Sequence, residues 1–407
     1  MRSFLHSLLL LAVLGLPAAC SEQKKSPTEQ PNAAPVVTPA DTAAALDTVA
    51  AKPAAPSRSD TAYVQDVAAY LAGQRVSQQS PLQALTAQPT WQAFAADANK
   101  SWKKYHTTRT SKIEKWATAE LDSVRASSST IFYPFSGPDL LNVVTMFPRN
   151  STYVLVGLEP VGSVPRRATL KKAKLLPAVK ASLWSVLNFS FFRTNDMAID
   201  LKLLELDGSL PLMMLFATRT GHQVQNVRYV QLNSEGQLTV ADSSIVRKRS
   251  TQFIPGVEMT MLNKAGDEQK VYYFSADISD GKGSNKGAVI QYVKTLGPLT
   301  TYVKSASYLM HKPYFSEVRN VILERSNYIL QDDSGIAMKY FRPADWQFTH
   351  YGIYKRPINL FANHYQRALT KAYADTANPP RSLPFGTGYN WRQNDSNLLL
   401  ARRQTPL

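Results

Sequence analysis

A single cysteine, Cys20, is all that the 407 residues contain. That excludes an internal disulfide and any zinc site built on thiolates. Past the amino-terminal segment, no apolar run reaches the roughly 18 residues a membrane-spanning helix needs, and LPLMMLFA at 210–217 is core-sized. Acidic side chains are scarce, with 30 Asp and Glu against 46 Lys and Arg and a net charge of +16. Histidines are few. Of His106, His222, His311, His350 and His364, none has a second histidine or a carboxylate at close metal-ligand spacing. The chain has no Gly-x-Ser-x-Gly elbow, no His-Glu-x-x-His, no Ser-x-x-Lys set with its partner motifs, and neither EF-hand nor Walker spacing. No cofactor and no metal are therefore expected.

The amino end, MRSFLHSLLLLAVLGLPAA, has a positive start at Arg2, an apolar stretch from Leu8 to Leu16 and small residues before Cys20. That layout reads as a secretory signal over residues 1–19. Leu16-Pro17-Ala18-Ala19-Cys20 resembles the lipobox of bacterial lipoproteins, with the leucine four places before the cysteine. The resemblance implies a thioether-linked diacylglycerol and an amide-linked acyl chain on Cys20, and several chains anchor durably where one does not. Ser21 resembles the residue found in lipoproteins sorted to an outer membrane. The alternative is a free secreted protein. Residues 20–59, including TPADTAAALDTVAAKPAAPSRSD, have too few large apolar side chains to offset ordering entropy and read as a tether. Charges within the tether cancel, so the positive balance sits on residues 60–407.

Those residues read as one large α+β domain, or as a helical part (60–127) fused to a mixed part (128–407). Trp91, Phe94, Ala98, Trp102, Tyr105, Ile113 and Trp116 recur near helical spacing, as expected of a helix packed on a sheet. TIFYPF and TYVLVGLEP read as strands flanking a short helix at PDLLNVVTMF. A basic helical stretch broken at Pro177 follows. The spacing then predicts hairpins at 227–241 and 257–276, with glycine supplying positive φ at the turns. GAVIQYV reads as another strand, and SNYILQDDSGIAMKYF as a third hairpin turning at Asp333-Ser334-Gly335. Gly281, Gly283 and Gly287 read as a connection between strands.

Ser136-Gly137-Pro138-Asp139 interrupts the first strand-helix-strand unit, whose second strand ends at Glu159. The unit resembles the start of a nucleotide-type fold and, faintly, of methyltransferases, where N–H groups at a helix start face an anion. One glycine stands where two or three are usual, and Pro138 lacks a donor. The simpler reading is a joint: Ser136 caps the helix and Asp139 favours its positive end. FYPFSGPDLL with YVLVGLEPVG, together with LPFGTGYNWRQNDSNLLLARR, also resembles a family of uncharacterised exported bacterial proteins. That resemblance brings no activity with it.

Two segments are candidates for binding. Arg166, Arg167, Lys171 and Lys172, with Lys174 and Lys180, precede Leu183, Trp184, Leu187 and Phe191 and suit an anionic membrane surface. Tyr340, Trp346, Tyr351 and Tyr354, with Arg342, Lys355 and Arg356, could stack on sugars and meet their acidic groups. Nucleic acid is not an expected partner. The expectation is a lipid-anchored, extracytoplasmic, non-catalytic module binding an anionic glycan, lipid surface or protein. The competing expectation is a hydrolase or transferase with Ser136, Asp139 and Glu159 at its site.

Overall fold

The computed structural model describes residues 58–127, 130–189, 207–244, 252–281, 285, 287–391 and 395–407. The signal, Cys20 and the tether lie outside these residues. The fold is α+β: helices pack on a mixed sheet of ten strands, ordered β4 (Leu238–Val240), β3 (Gln223–Leu232), β5 (Ile254–Leu262), β6 (Glu268–Ser275), β2 (Thr152–Gly157), β1 (Thr130–Tyr133), β7 (Leu299–Val303), β8 (Ser326–Gln331), β10 (Asn397–Arg403) and β9 (Trp346–Gly352).

The first part is helical. Helices α1 (Arg58–Leu71), α2 (Gln83–Thr86) and α3 (Pro89–Tyr105) lead through one wide turn at His106–Thr110 into α4 (Ser111–Glu120) and α5 (Asp122–Ser127). Trp91, Phe94, Tyr105, Ile113 and Trp116 are buried, as their helical spacing requires.

Strands β1 (Thr130–Tyr133) and β2 (Thr152–Gly157) flank α6 (Leu140–Met146) and pair in parallel, Thr130 opposite Thr152. Both are apolar on both faces, as central parallel strands are. Helices α7 (Arg167–Leu170) and α8 (Leu175–Phe189) follow. The break between them lies at 171–174. Pro177 sits in the first turn of α8, where its missing N–H leaves no bond unmade, so it does not interrupt the helix. Helix α9 (Leu210–Arg219) then leads into β3 (Gln223–Leu232), β4 (Leu238–Val240), β5 (Ile254–Leu262) and β6 (Glu268–Ser275). The two expected hairpins form, with Gly236 at φ 76° and Gly266 at φ 90° closing their turns.

Beyond β6 the chain alternates helix and strand: α10 (Ala288–Thr295), β7 (Leu299–Val303), α11 (Ser316–Arg325), β8 (Ser326–Gln331). GAVIQYV is thus helical rather than a strand. Ala288, Val289, Ile290, Tyr292 and Val293 are all buried, and a short apolar run of this kind suits either element until its neighbours decide. The turn at 333–335 is real, since Gly335 N–H donates to Asp332 O, but no strand returns from it. Instead β8 is covered on one side by parallel β7 and on the other by antiparallel β10 (Asn397–Arg403), which also pairs with β9 (Trp346–Gly352). The last helix is α12 (Arg367–Tyr373).

Strands β6, β2, β1, β7 and β8 all run the same way. Apolar side chains from α1, α3, α4, α6 and α9 meet one face of the sheet, and those from α10 and α11 meet the other.

Candidate functional site

From β1 the chain passes to β2 and β6 on one side, and after β6 it crosses to β7 and β8 on the other. In open α/β sheets ligands bind beyond the carboxyl ends of the strands, where such a reversal opens a crevice, here between β1 and β7.

The Ser136–Asp139 loop enters this position and closes on the sheet. Ser136 N–H and Gly137 N–H both donate to Val156 O, at 2.9 and 3.2 Å. Ser136 Oγ lies 2.9 Å from Gly137 O and 3.2 Å from Val156 O, and accepts from Val156 N–H at 3.1 Å. The loop's donors therefore face the end of β2 rather than a ligand. The helix cap is Asp139, not Ser136: its Oδ1 accepts Asn142 N–H at 3.2 Å and Asn142 Nδ2 at 2.8 Å. Asp139 Oδ2 accepts the Tyr133 hydroxyl at 2.9 Å and lies 2.9 Å from Lys304 Nζ. Lys304, 2% exposed, comes from the carboxyl end of β7. The mouth of the switch point is thus filled by a buried ion pair. Burial, then the Asp139 charge, push the Tyr133 hydroxyl well above its usual range.

Glu159 is buried beside the same loop. Its backbone oxygen accepts the Tyr273 hydroxyl at 2.8 Å. A methyl group on Gly157 would sit 2.5 Å from Glu159 Oε2 and 2.7 Å from Gly137 Cα, so the close approach of the two chain segments requires glycine. Ser136, Asp139 and Glu159 are therefore brought together beyond the carboxyl ends of the central strands β1 and β2, each at most 4% exposed.

At the end of β8 stand two more buried carboxylates. Asp332 accepts Ser305 N–H at 2.9 Å, Ser334 N–H at 3.0 Å and Ser334 Oγ at 2.5 Å. Asp333 accepts Asn397 Nδ2 at 3.0 Å and the Tyr308 hydroxyl. Burial, then the charge of Asp333, push the Asp332 carboxyl up to about 7. The folded state therefore holds a proton that the unfolded chain gives up near pH 4. This contribution is fully present below that range and is lost as pH rises through about 7. Stability from this group should fall by on the order of 1 kcal/mol per pH unit between about pH 5 and 7. Asp333 is pushed up as well, so the two carboxyls titrate as a pair; the difference between the wild type and Asp332→Asn, in urea unfolding at each pH, separates that pair from the histidines, and a pH-independent difference would contradict the assignment.

The segment joining β7 to α11 is strained. Ser305, Ser307 and Tyr308 hold φ of 53°, 50° and 53°, in the left-handed region that non-glycine residues rarely enter. Such strain gathers where surrounding contacts hold a functional geometry. Tyr308 stacks on His364 with centroids 5.0 Å apart and meets the edge of His311 at 5.1 Å. The two imidazoles are 5.5 Å apart. Thus two histidines widely separated in the chain do converge, although neither is a hydrogen-bond partner of Ser136 Oγ among the described residues. His106 contacts Thr110 and His222 contacts Thr220, each at 2.9 Å, while His350 packs on Tyr373.

Arg166, Arg167, Lys171, Lys172 and Lys174 are exposed around α7, and Lys180 pairs with Asp97 at 2.8 Å. Leu183 is buried; the side chains of Trp184 and Leu187, and the whole of Phe191, lie outside the described residues. The aromatic stretch does not form an outward stacking surface. Trp346 and Tyr351 of β9 are buried against Phe341 and Trp116, and Tyr354, just past the strand, is buried against Tyr373. Tyr340 lies under the Arg319 guanidinium at 3.8 Å. Arg342, Lys355 and Arg356 remain exposed. Asp280, from the glycine-rich segment, caps α11 by accepting Ser316 N–H at 2.7 Å and Glu317 N–H at 3.0 Å.

Sequence reasoning missed Lys304, Tyr308, Asp332 and the His311–His364 pair. The one local signal was the polar run Asp332-Asp333-Ser334 directly after an apolar strand. Comparison with family models, with curated proteins and with solved structures found no match.

Proposed function

We propose that this chain is an extracytoplasmic lipoprotein, held at the outer membrane by acylated Cys20, whose folded unit is a non-catalytic binding module for an anionic envelope component. The observation that carries the reading is the state of the switch point. Where doubly wound sheets place a cofactor or substrate, this chain packs Lys304 against Asp139 and turns the Ser136–Gly137 donors onto Val156. Among the described residues Ser136 Oγ contacts only main-chain groups, so no base is positioned to make it a nucleophile. The net charge of +16 favours anionic partners. No helix among the described residues is long and apolar enough to cross a membrane.

Replacing Cys20 by alanine should move the protein from the membrane pellet to the soluble fraction. The loss of several acyl chains, at about 0.8 kcal/mol per buried CH₂, makes that shift nearly complete. Retention of Cys20→Ala in the pellet would overturn the anchor.

A further inference from the structure

A second concave site lies on the same edge of the sheet, displaced from the switch point. Its walls follow the carboxyl ends of three strands: His311 comes after β7, Lys339 after β8, and Asn363, His364, Gln366 and Arg367 after β9. Strand β9 runs with β7 and β8 because both β8 and β9 are antiparallel to β10. The cavity holds about 360 Å³, at the small end of ligand pockets.

Its lining is one-sided in charge. Lys339 and Arg367 are cations, His311 and His364 bring imidazole nitrogens, Gln366 and Asn363 bring amides, and no carboxylate lines it. Asp333, whose backbone oxygen Gln366 meets, turns its carboxylate onto Tyr308 and Asn397. Gln366 is fixed, donating to Asp333 O at 3.0 Å and accepting Met338 N–H at 3.0 Å. The imidazoles are fixed too, against the strained Tyr308. His311 Nε2 is buried with no hydrogen-bond partner among the described residues, although the ring also meets the Gly335 backbone. A buried ring nitrogen left unmatched on a cavity wall is a group awaiting a partner.

We infer that this cavity binds a phosphate monoester, with Arg367 and Lys339 meeting its charge and His311 and His364 donating to its oxygens. A dianionic phosphate offers three terminal oxygens to donors converging from three sides, where a carboxylate offers two in one plane. The inference rests on the binding-module reading but not on the anchor. The chemistry fits a soluble phosphate ester or a phosphatidic acid headgroup.

Calorimetry on the full chain with glycerol 3-phosphate tests it, using succinate as the carboxylate control. Glycerol 3-phosphate should bind, succinate should bind at least tenfold more weakly, and the double variant Lys339→Ala/Arg367→Ala should lose about tenfold or more in affinity, about 1.4 kcal/mol. Both substituted residues are exposed, so the fold should persist. The ring-proton NMR signals of His311 and His364 should move with the ester and stay put with succinate, which separates this cavity from the basic surface around α7. Vesicles of phosphatidylcholine with phosphatidic acid identify the source: binding to them in preference to the soluble ester assigns a lipid headgroup, and the reverse a free ester. Absence of ester binding, equal affinity in the double variant, or succinate binding as tightly would overturn the site. Release of inorganic phosphate from the ester would overturn the non-catalytic reading and leave the site standing.

Discussion

Lys304→Ala should destabilise the fold by about 3–5 kcal/mol, the cost of leaving a buried carboxylate without its counter-charge. Both members of the pair are within 2% of full burial, and Asp139 also caps α6 and accepts the Tyr133 hydroxyl. The double variant Lys304→Met/Asp139→Asn should regain at least half of the loss. The asparagine keeps an acceptor for the Asn142 N–H, and no unpaired charge remains. Urea unfolding of the three proteins measures both effects. Equal stability of Lys304→Ala and the wild type would mean that the pair does not close the switch point.

Trp116→Ala should cost about 3–5 kcal/mol, the range for deleting a buried aromatic side chain. Trp116 lies in α4, yet its ring meets Tyr351 at 4.9 Å and Phe385 at 5.4 Å, and Nε1–H donates to Ser382 O at 3.2 Å. Its partners therefore come from the last part of the chain. The loss should appear as a single transition moved to lower urea, seen alike by circular dichroism and by tryptophan fluorescence. A helical part that unfolds separately would instead give two transitions. Trp116→Phe retains most of the contact and loses the N–H bond, so it should cost about 1–2 kcal/mol.

Much of the fold could be read locally. Gly236 and Gly266 mark hairpin turns because positive φ is a property of the residue itself. The stripe from Trp91 to Trp116 marks helices because burial repeats at helical spacing. GAVIQYV misled because its length and composition suit two elements, and the choice was made by α11 packing beside it. The site was legible in part. Ser136, Asp139 and Glu159 belong together as a strand-helix-strand unit places them, and all three lie buried past the ends of β1 and β2. Lys304 left no trace in YVKSASY, since its meaning depends on Asp139, which only the sheet order brings near. The same holds for His311 and His364, joined across two strands, and for the rings of β9, whose inward turn is set by β10.

The insertion between β2 and β6 bears on how the molecule comes together. Thr152 pairs with Lys270, across on the order of a hundred residues of intervening chain, while β1 and β2 are joined by a single short helix. Closing a long loop adds little to the equilibrium cost, about 0.6 kcal/mol per doubling. The delay is kinetic, because distant parallel partners must meet before their contacts contribute. The β1-α6-β2 unit should be the early nucleus, with one flank of β2 bare until the inserted hairpins deliver β6 to cover it.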